Sequence, residues 1–368
     1  MVRSRPVAEV KPFRAVRYGE RAGPLESLVA PPYDVISAPE REQLAGRSPH
    51  NVVHLTLPKD EPEAGRLWHA WRADGALVDE DDPGFWWLSQ DYIGPDGVAR
   101  TREGLVAALR AEPYENRVVL PHERTHRGPK EGRLRLMREV QAQLEPLFFL
   151  YEGAPPATRP EREPDLEVEG ARLWRLPSED ISEAFADRQL LIADGHHRYE
   201  TALAYHQEAG TPESAYVLAV LVSLDDPGLM IFPTHRVFEH EPTEQLRADE
   251  PLPDPTTALA ALAATPQDRA AAVLYREGRA ELTVDGEGEL DVTLVDRLGH
   301  EGISYTPDWH EAVRAVDDGE AEVAVLMRST RIEDVFAVAQ RGETMPQKST
   351  YFYPKLVSGL LFLEIGAS

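Results

Sequence analysis

The chain has 368 residues, of which 42% are hydrophobic, so it is long enough to fold into two or three domains. It contains no cysteine, which excludes disulfide bonds, thiolate metal sites and cysteine nucleophiles. Asp and Glu number 64 against 39 Lys and Arg, and the resulting formal charge of −25 repels the phosphate backbone of nucleic acids. We therefore expect no nucleic-acid partner, and an anionic ligand would need a local basic pocket.

No segment indicates export or membrane insertion. The first residues lack the apolar core of a secretory signal, and no run approaches the roughly 18 apolar residues of a membrane span. We expect a cytoplasmic protein with no membrane partner, and the pattern does not specify an oligomeric state.

The apolar spacing predicts an α+β or mixed α/β fold. Strands are predicted at 10–18, 51–58, 85–88, 104–109, 147–151, 173–176, 190–193, 215–224, 229–238, 271–275, 281–284 and 321–327. Helices are predicted at 63–76, 130–144, 257–264, 291–298, 309–317 and 332–341, and another begins after 194. The acid-rich and proline-rich segment 239–255 is typical of a domain boundary. We expect a first domain at 1–240, with an inserted α+β region at about 60–180, and a smaller C-terminal α/β domain at 241–368.

The segment 189–208 carries the strongest functional pattern. A short apolar run ends at Asp194 and Gly195, after which the apolar residues are spaced as in a helix. A strand, tight turn and helix direct the first-turn amides and the positive end of the helix dipole at one point, which favours an anion. Gly195 allows close backbone approach, and the turn continues with three donors or cations, His196, His197 and Arg198. The alternative is a helix capped by Asp194 whose basic residues are solvated or paired.

A second candidate segment is 30–36, where Pro31 and Pro32 hold the backbone extended. It presents Tyr33 and Asp34 from a stiff loop. Asp34 is a candidate catalytic carboxylate, and the alternative is a turn or capping acid.

The residues from His122 to His126 spell the H-E-x-x-H pattern of zinc proteases. Such a zinc site needs a stable helix that places both imidazoles on one face. Pro121 precedes the pattern and Gly128 and Pro129 follow it within one turn, so we expect neither this helix nor zinc. The segment remains a candidate site wall, because a local basic patch follows it.

The segment 345–355 combines two lysines, two hydroxyl groups and three aromatic residues. Its Lys348, Ser349 and Thr350 invite comparison with a phosphate loop, but the glycine spacing of a Walker A sequence is absent. We interpret the segment as a wall through which the C-terminal domain completes the site. The alternative is a surface loop.

Four strings together resemble the bacterial and archaeal family called domain of unknown function 1015, and they occur in that family's order. They are APPYDVI at 30–36, HERT at 122–125, IADGHHRYETAL at 192–203 and MPQKSTYFYPK at 345–355. The third string also resembles the signature of a superfamily that includes ParB, sulfiredoxin and archaeal free serine kinase. This resemblance implies a ParB/sulfiredoxin-like core with a large insertion, in which the 194–198 turn contacts nucleotide phosphates. It also implies that Asp34 stands where a kinase relative has its base.

Two members of that superfamily are poor models for this chain. The absence of cysteine excludes sulfiredoxin chemistry, and the acidity of the chain, together with the lack of a helix-turn-helix pattern, argues against the DNA role of ParB. The resemblance therefore favours the kinase.

The resulting hypothesis is phosphoryl transfer from a nucleotide, ATP or ADP with Mg²⁺, to a small hydroxylated metabolite such as free serine. Asp194, Gly195 and Arg198 would bind phosphate, His196 or His197 would steady the transferring group or a Mg²⁺-bound water, and Asp34 would orient or deprotonate the acceptor. Further phosphate or nucleotide contacts are expected from Glu123, Arg124, Lys348, Ser349 and Thr350. Two alternatives stay open. The same site could act as a phosphatase or nucleotide hydrolase, or the protein could sense a nucleotide or another phosphorylated small molecule without turnover.

Overall fold

The structure, a computed structural model, describes residues 8–366 except 124–127, 169, 178–180, 243, 245 and 247–249. These residues form helices packed on β-sheets, so the predicted mixed α/β class is confirmed. No helix in the described part of the chain is both long and apolar enough to cross a membrane.

Most of the helices lie close to the predicted positions, but the helix at 53–56 lies where a strand is predicted. The helices are α1 (Ala38–Ala45), α2 (Val53–Thr56), α3 (Glu61–Ala73), α4 (Gly128–Val140), α5 (His196–Ala209), α6 (Pro255–Ala264), α7 (Asp291–Asp296), α8 (Trp309–Asp317) and α9 (Ile332–Gln340). Several start at a capping acid, as in α3, where the Asp60 carboxylate accepts the backbone N–H of Glu63 at 2.8 Å.

The strands of the first 240 residues are β1 (Val10–Lys11), β2 (Ala15–Tyr18), β3 (Leu77–Asp79), β4 (Phe85–Ile93), β5 (Ala99–Arg110), β6 (Val119–Leu120), β7 (Ala142–Gln143), β8 (Leu147–Tyr151), β9 (Leu166–Val168), β10 (Ala171–Leu176), β11 (Leu190–Asp194), β12 (Tyr216–Ser223), β13 (Met230–Phe232) and β14 (His235–Phe238). The later strands are β15 (Glu250–Leu252), β16 (Arg269–Arg276), β17 (Arg279–Glu287), β18 (Ile303–Thr306), β19 (Val323–Leu326), β20 (Tyr351–Tyr353) and β21 (Phe362–Glu364).

Four sheets organise these strands. The largest has the order β6-β11-β8-β12-β5-β4-β10-β9, with β1 paired to β5. A six-stranded sheet follows the order β15-β17-β16-β19-β14-β18, a four-stranded sheet the order β3-β2-β21-β7, and β13 pairs with β20. The end of the chain therefore returns to the first half, because β20 and β21 pair with strands that precede residue 240. The predicted division at residues 240 and 241 stays a prediction.

Strand β11 is continuously apolar because both of its faces are covered. Leu191 and Ala193 belong to one hydrophobic cluster, whereas Leu190 and Ile192 belong to a second cluster on the opposite face. Helix α5 contributes Tyr199 to the second cluster. Strand β11 pairs with the parallel β6 through Leu190 and Leu191, and with the antiparallel β8 as far as Asp194, so β8 holds its C-terminal end.

The predicted strand at 51–58 is wrong, because this segment contains helix α2. The buried Asn51 side chain accepts the N–H of Val53 at 3.0 Å and donates to the carbonyl groups of Ser27 and Val29 at 2.8 and 3.2 Å. This side-chain cap joins two distant segments, and it outweighs the local β propensity of the valines.

Replacing Trp68 with Ala tests the packing of the chain end against the first half. Trp68 is 1% exposed in α3 and meets the ring of Phe362 in β21 edge to face, with centroids 5.5 Å apart. We expect Trp68→Ala to lower the free energy of unfolding by about 3–5 kcal/mol, measured by urea denaturation. Arg66→Ala, on the exposed side of the same helix, should change it by less than about 0.5 kcal/mol. Equal effects of the two variants would contradict this packing.

Candidate active site

The segment that follows β11 is the strand, turn and helix predicted from the sequence. Gly195 has φ 98° and ψ 25°, a left-handed conformation that glycine adopts without strain. A Cβ atom at this position would lie 3.2 Å from both Arg198 Nη2 and Leu147 Cγ. The pairing of β11 with β8 shifts in register between Ile192 and Asp194, and such an irregularity re-aims the side chain that follows it.

The Asp194 carboxylate lies between two cations. Its Oδ1 accepts the Lys355 ammonium at 2.5 Å, and its Oδ2 accepts Arg198 Nη2 at 2.9 Å. Burial alone would raise the pKa of Asp194, but Lys355 and Arg198 hold it well below its usual range. Burial likewise opposes the charge on Lys355, yet Asp194 raises the pKa of that ammonium above its ordinary value. The start of α5 is therefore a cluster of paired charges, in which the buried Glu145 carboxylate also acts on Arg198.

Two buried histidines form the wall beside this turn. His122 Nδ1 lies 2.6 Å from the Ile192 carbonyl, so it carries the proton and donates, and Nε2 accepts the Thr350 hydroxyl at 2.8 Å. The His122 backbone N–H donates to His196 Nε2 at 3.3 Å, and the two rings meet edge to face with centroids 4.7 Å apart. Burial lowers the pKa of both imidazoles, so both are neutral at neutral pH.

These groups line a cavity of about 510 Å³, a size typical of small-molecule sites. The cavity brings together predicted site residues from four separate parts of the chain, namely Asp34, Glu123, Asp194, Gly195, His196, His197, Arg198, Lys348 and Thr350. The predicted contact Arg124 lies outside the described residues, as does His126.

The loop that carries Asp34 is held in place through its neighbour Tyr33. Asp34 is exposed in a 3₁₀ turn, Tyr33–Val35. The Tyr33 N–H donates to the buried Glu145 carboxylate at 2.9 Å, and the Arg133 guanidinium carbon lies 3.4 Å from the centroid of the Tyr33 ring. Asp34 lines the same cavity as Arg198 and Lys355.

Residues 345–355, here called the C-terminal strap, also line the cavity, through Gln347, Lys348, Thr350, Tyr351, Phe352 and Lys355. Lys348 is exposed at the cavity with φ 54°, in the sparsely populated left-handed region. Thr350 lies beside it and hydrogen-bonds to His122. Ser349 is 3% exposed and does not line the cavity, because its hydroxyl donates to the Pro346 carbonyl at 2.5 Å. The structure therefore brings Lys348 and Thr350 to the site but directs Ser349 away from it.

Sequence reasoning did not identify several residues that shape this site. Lys355 stood within a noted string, but only the fold shows that it reaches Asp194. Arg102 and Gln90 are direct cross-strand partners in β5 and β4. Arg102 donates to the Pro354 carbonyl at 2.7 Å and Gln90 donates to the Lys355 carbonyl at 3.2 Å. These contacts hold the backbone of the strap where the Lys355 ammonium can meet Asp194.

The described residues contain no group of three or more His, Asp and Glu side chains that could hold a metal ion. Carboxylates still face the cavity, because Asp34 and Glu123 both line it. A nucleotide-bound Mg²⁺ needs only one or two protein carboxylates besides the phosphates, so these two residues fit such an ion.

Replacing Asp194 with Asn tests the ion cluster. The folded-state pKa of Asp194 is lowered, so its contribution to stability is present above its unfolded pKa of about 3.9 and is lost as the pH falls through the folded pKa. We expect Asp194→Asn to lower the free energy of unfolding by about 3 kcal/mol at neutral pH, because Lys355 and Arg198 lose their counterion. Urea denaturation over a pH series should show this difference shrinking below about pH 4.

The control for this prediction is Asp187→Asn, which alters an exposed acid outside the cavity. We expect this variant to have the same free energy of unfolding as the wild type throughout the pH series. If Asp194→Asn lowered the free energy of unfolding by the same amount at every pH, the charge of the carboxylate would not be what stabilises the fold.

Comparisons with known proteins can now be set beside this geometry. A free serine kinase in complex with AMP is 17% identical over 64% of this chain and 83% of that chain, with a TM-score of 0.40. A conserved hypothetical protein from Pyrococcus furiosus is 17% identical over 65% of this chain and 89% of that chain, with a TM-score of 0.37. SbnI with a C-terminal truncation, from Staphylococcus aureus, is 11% identical over 69% of this chain and 85% of that chain, with a TM-score of 0.40.

No curated protein is similar enough to this chain to count as a match. The model of the family described as protein of unknown function, DUF1015, matches residues 10–300, which is well over half of the chain. The chain therefore belongs to the DUF1015 family, as its four characteristic strings predict.

Proposed function

We propose that this protein is a phosphotransferase that moves a phosphoryl group from a nucleotide to a small hydroxylated metabolite, with free serine as the first candidate acceptor. One observation carries the proposal. A single cavity contains a helix N-terminus flanked by Arg198 and Lys355 on one wall and the exposed carboxylate of Asp34 on another. Phosphoryl transfer requires mainly charge neutralisation and positioning, and this arrangement supplies both.

The phosphate end of the cavity is the turn at Gly195. The first-turn amides of a helix have no acceptor within the helix and carry its positive dipole end, so they favour an anion placed beyond Gly195. Arg198 and Lys355 add two positive charges, of which Asp194 neutralises one. Lys348 on the strap adds another cation at the cavity surface. These cations offer an anion local partners, although the whole chain carries a charge of −25.

The acceptor end of the cavity is the loop that carries Asp34. In the proposed step, the acceptor hydroxyl oxygen forms a bond to the terminal phosphorus, and the bond from that phosphorus to the bridging oxygen of the nucleotide breaks. The electron pair of the broken bond stays on the bridging oxygen of the leaving nucleotide, and the hydroxyl proton passes to the Asp34 carboxylate. Arg198 and Lys355 stabilise the charge on the phosphoryl oxygens.

The histidines have separate parts in this proposal. His196 Nε2 already accepts the His122 backbone N–H, so a neutral His196 keeps its proton on Nδ1. His197 also lines the cavity and is the imidazole proposed to steady the transferring group. A Mg²⁺ ion bound with the nucleotide would neutralise phosphate charge, and Glu123 is the carboxylate that would hold it.

Replacing Asp34 with Asn tests the catalytic assignment. We expect the rate of acceptor phosphorylation to fall by at least about 100-fold, because the amide cannot take the proton, while nucleotide affinity changes little. The measurement is ³¹P NMR of the wild type and the variant incubated with ATP or ADP, Mg²⁺ and L-serine or other small alcohols. Glu20→Gln, an exposed acid outside the cavity, should keep the wild-type rate.

The same spectra separate the other possible activities. Inorganic phosphate released without a phosphorylated acceptor would indicate a hydrolase in place of a kinase. Nucleotide binding with no product over hours would indicate a sensor, and an unchanged rate in Asp34→Asn would refute the role given to that residue.

Replacing Lys348 with Met tests the anion site without disturbing the core. Lys348 is exposed and is not part of the Asp194 ion cluster, so the variant should fold normally. We expect its affinity for inorganic pyrophosphate, measured by calorimetry, to fall about fivefold, which corresponds to about 1 kcal/mol for one lost cation. Lys59→Met removes a lysine outside the cavity and should leave the affinity unchanged. If the two variants bound pyrophosphate with equal affinity, Lys348 would not be a phosphate contact.

A further inference from the structure

The cavity has a wall that the proposed chemistry does not use. Thr234, Tyr305, Thr306 and Pro307 all line it, and all four lie at one end of the antiparallel pair β14 and β18. This pair is an edge of the six-stranded sheet, whereas the Gly195 turn follows a strand of the nine-stranded sheet. The cavity is therefore bounded by two different sheets.

The wall from the six-stranded sheet differs chemically from the rest of the cavity. Its side chains are uncharged: two hydroxyl groups, one phenol and one proline. The ionisable acids and the lysine and arginine side chains of the cavity come from the other walls, namely Asp34, Glu123, Asp194, Arg198, Lys348 and Lys355. The described cavity thus has a charged part and an uncharged part with a flat aromatic surface.

The Tyr305 ring is supported from within its own sheet. His300 Nδ1 lies 3.3 Å from the Tyr305 hydroxyl, and the guanidinium carbon of Arg236 lies 6.0 Å from the ring centroid. Arg236 is 1% exposed and its cross-strand partner is Tyr305. The ring therefore has partners within the protein, and a ring that is already partly ordered loses less entropy when a ligand stacks on it.

Polar groups near this ring have unused hydrogen-bonding capacity. The Thr234 hydroxyl is inaccessible and has no hydrogen-bond partner among the described residues, and the same holds for Arg236 Nη2. Arg236 Nη1 reaches only the Thr234 carbonyl, at a long 3.4 Å. A buried polar group without a partner is costly, so these groups favour a neighbour that offers acceptor atoms.

We propose that this uncharged wall binds the base of the nucleotide whose phosphates occupy the Gly195 turn. The inference rests on the proposed function, because it takes the ligand to be a nucleotide. A nucleotide is divided in the same way as the cavity, with an anionic phosphate chain at one end and a flat, uncharged ring rich in acceptor atoms at the other. The ring stacks on Tyr305 and Pro307, and its acceptor edge faces Thr234. The six-stranded sheet then selects the nucleotide, while the nine-stranded sheet binds its phosphates.

The test compares ADP with inorganic pyrophosphate, which has the same phosphate chemistry but no base. Calorimetry on the full chain measures both affinities in the wild type, Tyr305→Leu and Tyr305→Phe. We expect the wild type to bind ADP at least tenfold more tightly than pyrophosphate. Tyr305→Leu should weaken ADP binding about tenfold and leave pyrophosphate binding unchanged, because it removes the aromatic face and keeps the side-chain volume roughly similar. Tyr305→Phe keeps the ring and should retain ADP affinity within about twofold.

The outcomes separate this inference from the proposed function. Equal wild-type affinities for ADP and pyrophosphate would overturn the base site and leave the anion site intact. A loss of both affinities in Tyr305→Leu would also overturn it, because the wall would then support the fold of the whole cavity. A wild type that binds neither ligand would refute the proposed function and this inference together.

Discussion

The ion cluster at Asp194 is the interaction on which the rest of the site depends. Its carboxylate ends β11, accepts Arg198 from the first turn of α5 and accepts Lys355 from the C-terminal strap. Burying these charges costs several kcal/mol per ion in lost hydration, and their mutual attraction offsets that cost only when the geometry is good. A cluster of apolar residues of similar volume would therefore stabilise the fold equally well. The ion cluster places two cations beside a helix N-terminus, which an apolar cluster could not do.

The C-terminal strap is part of the site because hydrogen bonds and aromatic contacts hold it against the nine-stranded sheet. The Met345 N–H donates to the His122 carbonyl at 2.8 Å, and Phe352 packs edge to face on Phe148 with centroids 5.7 Å apart. Arg102 is buried beneath the strap, with its guanidinium carbon 4.4 Å from the centroid of the Phe148 ring. Burial lowers the pKa of Arg102 to about 10, which leaves it charged at neutral pH. The cavity therefore exists only when the end of the chain has folded back on its first half.

Much of the fold follows from local patterns. Doubly buried strands such as β11 are continuous apolar runs, and α8 begins and ends at the predicted residues because its capping acid and apolar spacing are both local. The failure at 51–58 has an equally specific cause. Asn51 makes its decisive hydrogen bonds to Ser27 and Val29, more than twenty residues earlier in the chain, and no local pattern contains that information. The ParB/sulfiredoxin-like description of the core stays a prediction.

The sequence by itself determined the turn at Gly195, since a strand, an Asp-Gly pair and a helix starting with basic residues are consecutive and their geometry is local. It also identified the family, because four strings occur in a set order. Only the tertiary structure decided which distant residues meet this turn. It brought Lys355 to Asp194, turned Ser349 away from the cavity and placed Tyr305 in the lining of the same cavity. The positions of these three residues depend on strand pairing and on the return of the chain end to the first half. Such contacts join residues far apart in sequence, so no local periodic pattern predicts them.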